Sequence, residues 1–195
     1  MKGKTHVMLG VAAGITAISD YSLEKGIIFI SSTVLGSLMP DIDHPKSKLN
    51  QKLLFKKNRI FKFVFYIILS LGCIYFGISL NNKLLKILSI TLAFTGLSHH
   101  RGFTHSLLGL LLFSMVVKIL AIRYNLIGAY KGFVIGYISH LIADSFTKGG
   151  IELFYPCSIK IMFPFTIKSG GNEEELILKG LYFYLIYVLL KFIGV

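Results

Sequence analysis

Apolar residues in this chain fall into long, nearly unbroken runs rather than the one-sided stripe of a soluble helix or the alternation of a half-buried strand. The runs cover roughly 7–19, 26–39, 63–80, 84–98, 106–122, 132–143 and 176–193, with short polar connections between them. A helix that crosses a bilayer needs ~20 apolar residues, and the runs at 63–80 and 176–193 come closest to simple spans. The first two runs are short and read as a hairpin that need not cross fully. The pattern therefore predicts an all-α fold: a polytopic helical membrane protein with about five to seven membrane helices. No internal repeat or linker divides it, so residues 1–195 form a single integral membrane domain, closed by a C-terminal membrane helix at about 176–193.

Composition agrees. Only 15% of residues are charged, against ~25% in a soluble domain. The net charge is +12, but no zinc-finger spacing or RNA-binding signature accompanies it, so nucleic acid is not the expected partner. Basic residues in short connections instead set membrane orientation and meet anionic lipid. The most basic connection, before Phe63, holds Lys46, Lys48, Lys52, Lys56, Lys57, Arg59 and Lys62, which places it in the cytoplasm. Alternation then brings the N-terminus, 99–105 and 144–175 to the same side. No cleaved signal peptide is expected. Cys73 and Cys157 form neither a disulfide framework nor a CxxC site and read as free thiols. The isoleucine- and lysine-rich composition points to the cell membrane of a bacterium with an AT-rich genome.

Four polar clusters interrupt the apolar pattern: "KTHVMLG", "MPDIDHPKS", "HHRGFTHS" and "SHLIADS". They contain all six histidines and every aspartate except Asp20, and the expected topology puts all four on one membrane face. His140 and Asp144 are i and i+4 and share a helix face. Asp41 and Asp43 are i and i+2, which would aim both carboxylates one way in an extended segment, with Pro40 ending the preceding helix and Pro45 stiffening the exit. Thr104 is placed to cap the run at 106–122, with His105 in its first turn. His99, beside His100, would point elsewhere and reads as support rather than ligand. Each feature alone has an ordinary explanation: a lone interfacial histidine, a common HxxxD pair, a loop start after proline. Together they are ionisable groups at membrane helices, which are functional by default.

Mixed imidazole and carboxylate donors suit zinc first, with manganese or iron next. Up to seven or eight candidate ligands exceed what one catalytic ion uses and favour a site with two ions, so one or two divalent ions are expected. Arg101 is either a clamp for an anionic group or a topology-setting charge. Phe154 and Tyr155 read as interfacial anchors, and Glu173–Glu175 as the solvated first turn of the last helix.

At these residues the sequence resembles the YdjM/YbcI-type family of membrane-bound, metal-dependent hydrolases. The resemblance rests on "TH" near the start, "PDIDHPKS", "HRGFTHS" and "GYISHLIADSFTKGGIELFYP", over residues 5–156. It implies His6, Asp41, Asp43, His44, His100, His105, His140 and Asp144 as metal-site residues. The expected activity is hydrolysis by metal-activated water, with Asp43 or Asp144 as base. Placement at headgroup depth beside Arg101 makes a phosphoester in a lipid or amphiphilic substrate the most economical choice. The alternative is a non-catalytic metal-binding membrane protein or transporter, although a transporter would hold its ligands near the bilayer midplane. An intramembrane protease is disfavoured, because no HExxH occurs and Glu152 has no suitably spaced histidine.

Overall fold

The computed structural model describes residues 1–193 except 19–21, 45–46, 48–49, 52–53 and 55–57. Pro45 and the basic residues Lys46, Lys48, Lys52, Lys56 and Lys57 thus lie outside the described residues. Seven α-helices are described: α1 (Gly3–Ala17), α2 (Leu23–Leu38), α3 (Arg59–Ser79), α4 (Lys83–Leu97), α5 (Leu107–Arg123), α6 (Ile127–Ser145) and α7 (Asn172–Ile193). Among the described residues no regular strand accompanies them; two isolated bridges, Thr147 with Ile167 and Ile151 with Ile161, fold the α6–α7 connection back on itself.

Local chemistry sets the helix ends. The Asn58 side chain accepts from the Phe61 amide at 2.7 Å and starts α3. Asn82 accepts from the Leu84 and Leu85 amides and starts α4, so α3 and α4 form a tight hairpin. The turn between them uses Asn81 at φ 45°, a left-handed value that asparagine tolerates better than most residues. After Leu38 the chain tightens into a 3₁₀ turn, Met39–Asp43, with Pro40 in its first positions. This corrects the extended geometry expected for Asp41 and Asp43. Their carboxylates diverge: Asp43 is buried and Asp41 is partly open.

The centre of the bundle is the α2–α6 pair. Its close approach depends on missing side chains. A Cβ at Gly36 would collide with the Phe133 carbonyl, and one at Gly136 with the Thr33 carbonyl. Small residues let membrane helices approach in this way where no solvent drives them together. α1 packs against both helices, α5 against α4 and α6, and α7 against α1. An aromatic core of Phe103, Phe113, Phe133 and Tyr137 with Leu141 and Ile151 fills the space below the α4–α5 connection.

Two segments, Leu23–Asp43 and Arg59–Ser79, are long and apolar enough to cross a membrane. Helices α1, α4 and α5 have 15, 15 and 17 residues, about 22–26 Å of helix. That is less than the ~30 Å hydrocarbon thickness. The outer faces of α3 and α7 expose Ile68, Leu71, Phe76, Phe183 and Leu189.

Candidate metal centre

The four polar clusters meet at one end of the bundle. His6 lies in the first turns of α1, Asp41 and Asp43 in the 3₁₀ turn after α2, and His140 and Asp144 in the last turns of α6. The α4–α5 connection supplies His100 and His105. His6, Asp43, His105, His140 and Asp144 are each at most 2% exposed.

Asp144 is the hub. Its Oδ1 lies 3.3 Å from His6 Nε2, and its Oδ2 lies 3.5 Å from His105 Nε2 and 3.7 Å from His140 Nε2. The Nε2 atoms of His105 and His140 are 3.2 Å apart. The rings of His6 and His140 stack at 3.7 Å.

These spacings can be tested against an ion. Metal–ligand bonds of ~2.1 Å at tetrahedral angles put donor atoms about 3.4 Å apart, which is the spacing found. The nitrogens are also prepared for it. His140 Nδ1–H donates to the Ser37 carbonyl at 2.7 Å, leaving the Nε2 lone pair facing His105. Both ring nitrogens of His6 are buried without a hydrogen-bond partner. The close approach of His6 Nε2 to Asp144 is therefore a distance without hydrogen-bond geometry. Buried polar atoms are rarely left so, and a cation on one nitrogen would account for one of the two. The cation beside Asp144 here is the ammonium of Met1, 2.7 Å from Oδ1. His6, His140 and Asp144 therefore form a donor group that could hold a metal ion, with His105 Nε2 beside it.

A second group, Asp41, His100 and His105, also brings one ligand atom from each residue within 4.8 Å of the others. His105 is common to both sets. His44 stands against this group, its ring 4.8 Å from that of His100.

Asp43 differs from the other carboxylates. It receives His100 Nδ1 at 2.9 Å and the Arg101 amide at 3.0 Å, and lies 3.5 Å from His105 Nδ1. Both oxygens are engaged in holding the α4–α5 connection. It is placed to orient imidazoles as the outer carboxylates of metal sites do. Burial disfavours the charged form of His105, but the negative charge of Asp43 outweighs it. With hydrogen bonds to Asp144 and Asp43, the ring is held up to about 10.

Arg101 adopts φ 70°, a conformation rare outside glycine. That turn aims its amide at Asp43 and sends its guanidinium across Gly149. Any Cβ at Gly149 would overlap the guanidinium. Nη1 donates to the Gly150 carbonyl at 3.2 Å and Nη2 lies 3.9 Å from Asp144 Oδ2. Arg101 thus stands at the rim of the cluster, partly exposed.

Several local expectations need correction. The cap of α5 is Ser106, whose hydroxyl accepts from the Gly109 amide at 3.1 Å, not Thr104. Thr104 and His105 belong to a separate 3₁₀ turn, Phe103–His105, and the Thr104 hydroxyl sits 3.1 Å from His105 Nδ1. His99 points away from the cluster as expected, and pairs with the buried Glu152 at 3.0 Å. Tyr155 packs its ring against Phe103, while Phe154 is exposed. Glu174 is not solvated: it is buried and accepts from the Lys2 amide, the Thr5 hydroxyl and the Gly170 amide. Lys62 is not a surface charge either. Its ammonium is buried among the carbonyls of Asp43, Thr95 and Ser98 at 3.1, 3.0 and 2.8 Å. The available signal was its place, one residue before the apolar run at 63–80.

The chain matches the family model described as YdjM inner membrane protein over residues 1–194. A Bacillus subtilis relative, the uncharacterized protein YvsG, is 31% identical over 193 residues, covering 96% of this chain and 97% of the relative. The inner membrane protein YdjM of Escherichia coli is 32% identical over 148 residues, covering 75% of this chain and 58% of that protein. The Shigella flexneri protein of the same name matches to the same extent. No solved structure matches the chain.

Proposed function

Since the chain belongs to the YdjM family of inner membrane proteins, we propose that it is a membrane-embedded, metal-dependent hydrolase acting on a phosphoester of a lipid or amphiphile at the cytoplasmic face. The observation that carries this reading is the buried meeting of His6, His105, His140 and Asp144, with both His6 nitrogens unpartnered and donor spacings that suit one ion. His6, His140 and Asp144 would hold that ion; Asp41, His100 and His105 would hold a second. Zinc suits the donors best, manganese or iron next. An ion so held makes water acidic enough to attack near neutral pH and polarises the bond to be broken.

The protein's own groups do the rest. Asp43 holds His100, His105 and the Arg101 backbone. Asp41, the carboxylate of the cluster that reaches solvent, is better placed than Asp43 or Asp144 to accept a proton. The Arg101 guanidinium, with its planar fork, can receive an anionic phosphoryl oxygen at the rim. Five lysines and Arg59 in the connection before α3 favour the cytoplasm for this end of the bundle; Lys62 drops out of that count.

Purified protein in detergent, assayed on phospholipid, lipid-phosphate and generic phosphodiester panels with zinc or manganese, tests the reading. Turnover that a chelator abolishes is expected, with Arg101→Ala inactive but still metal-loaded. A protein that keeps its metal and hydrolyses no ester in the panels is a metal-binding protein or a transporter instead.

A further inference from the structure

An elongated apolar cavity of about 610 Å³ runs between α1, α6 and α7, within the ~300–1,000 Å³ of small-molecule sites. Leu9 and Ala13 line it from α1, Ser139 and Ala143 from α6, and Ile177 and Leu181 from α7. The alanines make the room, since larger side chains there would close the helices onto one another. Two of its polar lining residues offer nothing to a ligand. The Thr16 hydroxyl is turned back to the Ala12 carbonyl at 2.5 Å and that of Ser139 to the Gly136 carbonyl at 2.7 Å.

The groove is continuous with the candidate metal centre. Met1 lines it and also places its ammonium on Asp144. Ala143 precedes Asp144, and Leu9 lies one turn beyond His6 on the same side of α1. From Leu9 to Thr16 the wall covers about 10 Å of helix, leading away from the cluster. The groove itself is hydrocarbon-lined, and the cluster that begins beyond Met1 carries Asp144, the imidazoles and Arg101.

We infer that this groove seats the hydrocarbon chain of an anionic single-chain amphiphile, whose head reaches Asp144 and Arg101. This deepens the hydrolase reading by naming the substrate class, and rests on it. The arrangement selects the occupant: the groove is lined by apolar side chains, and beyond Met1 an anionic head would meet Arg101 and, on the hydrolase reading, the ion held beside Asp144. α7 forms the outer wall. Among the described residues it packs chiefly on α1, and the Glu174 carboxylate anchors its first turn to Lys2 and Thr5. The chain would enter sideways, between α1 and α7.

The test reads occupancy rather than turnover. Full-length protein in phosphatidylcholine nanodiscs is photolabelled with hexadecyl phosphate carrying a mid-chain diazirine, and in a second arm with a prenyl phosphate of matched length. The expected labels fall on Leu9, Ala13, Ile142 and Leu181 in at least one arm, and the arms show whether the chain is straight or branched. Ala13→Phe should cut these labels about tenfold while keeping its metal. Leu181→Ala widens the groove and should keep the labels, which covers the case in which Ala13→Phe does not fold. Labels confined in both arms to the lipid-facing Ile68 and Leu71 of α3, or labels unchanged in a folded Ala13→Phe, overturn the inference. Because labelling needs no hydrolysis, an inactive protein with a labelled groove overturns only the hydrolase. Hydrolysis of soluble phosphoesters with an unlabelled groove overturns only the chain site.

Discussion

The Nε2 atoms of His105 and His140 face each other at 3.2 Å, and with no cation between them a proton must separate the two lone pairs. Asp43 and Asp144 hold that proton on His105, whose pKa is raised to about 10. Binding of an ion displaces it. Apparent zinc affinity should therefore climb as pH rises through neutrality, with about one proton released per ion. Calorimetry in two buffers of different ionisation enthalpy measures this, and equal heats in both would refute it. The sign for folding is opposite. A raised histidine pKa stabilises the metal-free fold fully below about 6.5, and this contribution fades as pH rises through about 10. His140→Ala and Asp144→Ala should each lose the bound metal, and Asp43→Asn should weaken binding by about 10–100-fold; elemental analysis of purified variants checks all three. These ligand types were legible in the sequence because imidazoles and carboxylates stand out in apolar surroundings. The partners of Asp43, Lys62 and Glu174 were not. Two of the three groups that hold Glu174 lie about 170 residues away, and Lys62 binds backbone carbonyls that carry no sequence mark.

At the scale of helices, the apolar runs located every described element but misplaced its ends. The run at 132–143 is the inner part of α6, which extends from Ile127 to Ser145. His140 and Asp144 continue the helix because their polar groups are buried in the cluster. Likewise α7 starts at Asn172, because the acidic residues build its first turn. The α2–α6 contact matters most for the site, since it sets the Ser37 carbonyl against His140. Gly136→Ala forces a methyl group onto the Thr33 carbonyl, so it should cost about 1–3 kcal/mol and weaken zinc binding together with thermal stability. Unchanged melting and metal content would show that the helices absorb the methyl group. Glu174→Ala leaves the Lys2 amide and Thr5 hydroxyl buried without their acceptor, at about 1–3 kcal/mol. Hydrogen exchange over the start of α7 should rise, with the α2–α6 pair unaffected.

For the whole molecule, orientation decides which side of the membrane the cluster faces. Cys157 is exposed in the connection that follows α6, at the cluster end of the bundle, while Asn82 lies in the α3–α4 turn at the other. A membrane-impermeant maleimide should label Asn82→Cys in intact cells and Cys157 only after the membrane is opened. The reverse pattern would turn the site outward. The all-helical class was readable from the runs, whereas the number of full crossings was not, because five of the described helices are shorter than the bilayer core. One further consequence concerns biosynthesis. Asp144 meets His6 across 138 positions of chain, and Glu174 meets Thr5 across 169. The first helix therefore leaves the ribosome long before its partners exist. Its histidine must wait in the bilayer, without an ion, until the sixth helix arrives and the seventh latches over it, so a prematurely truncated chain holds no assembled centre.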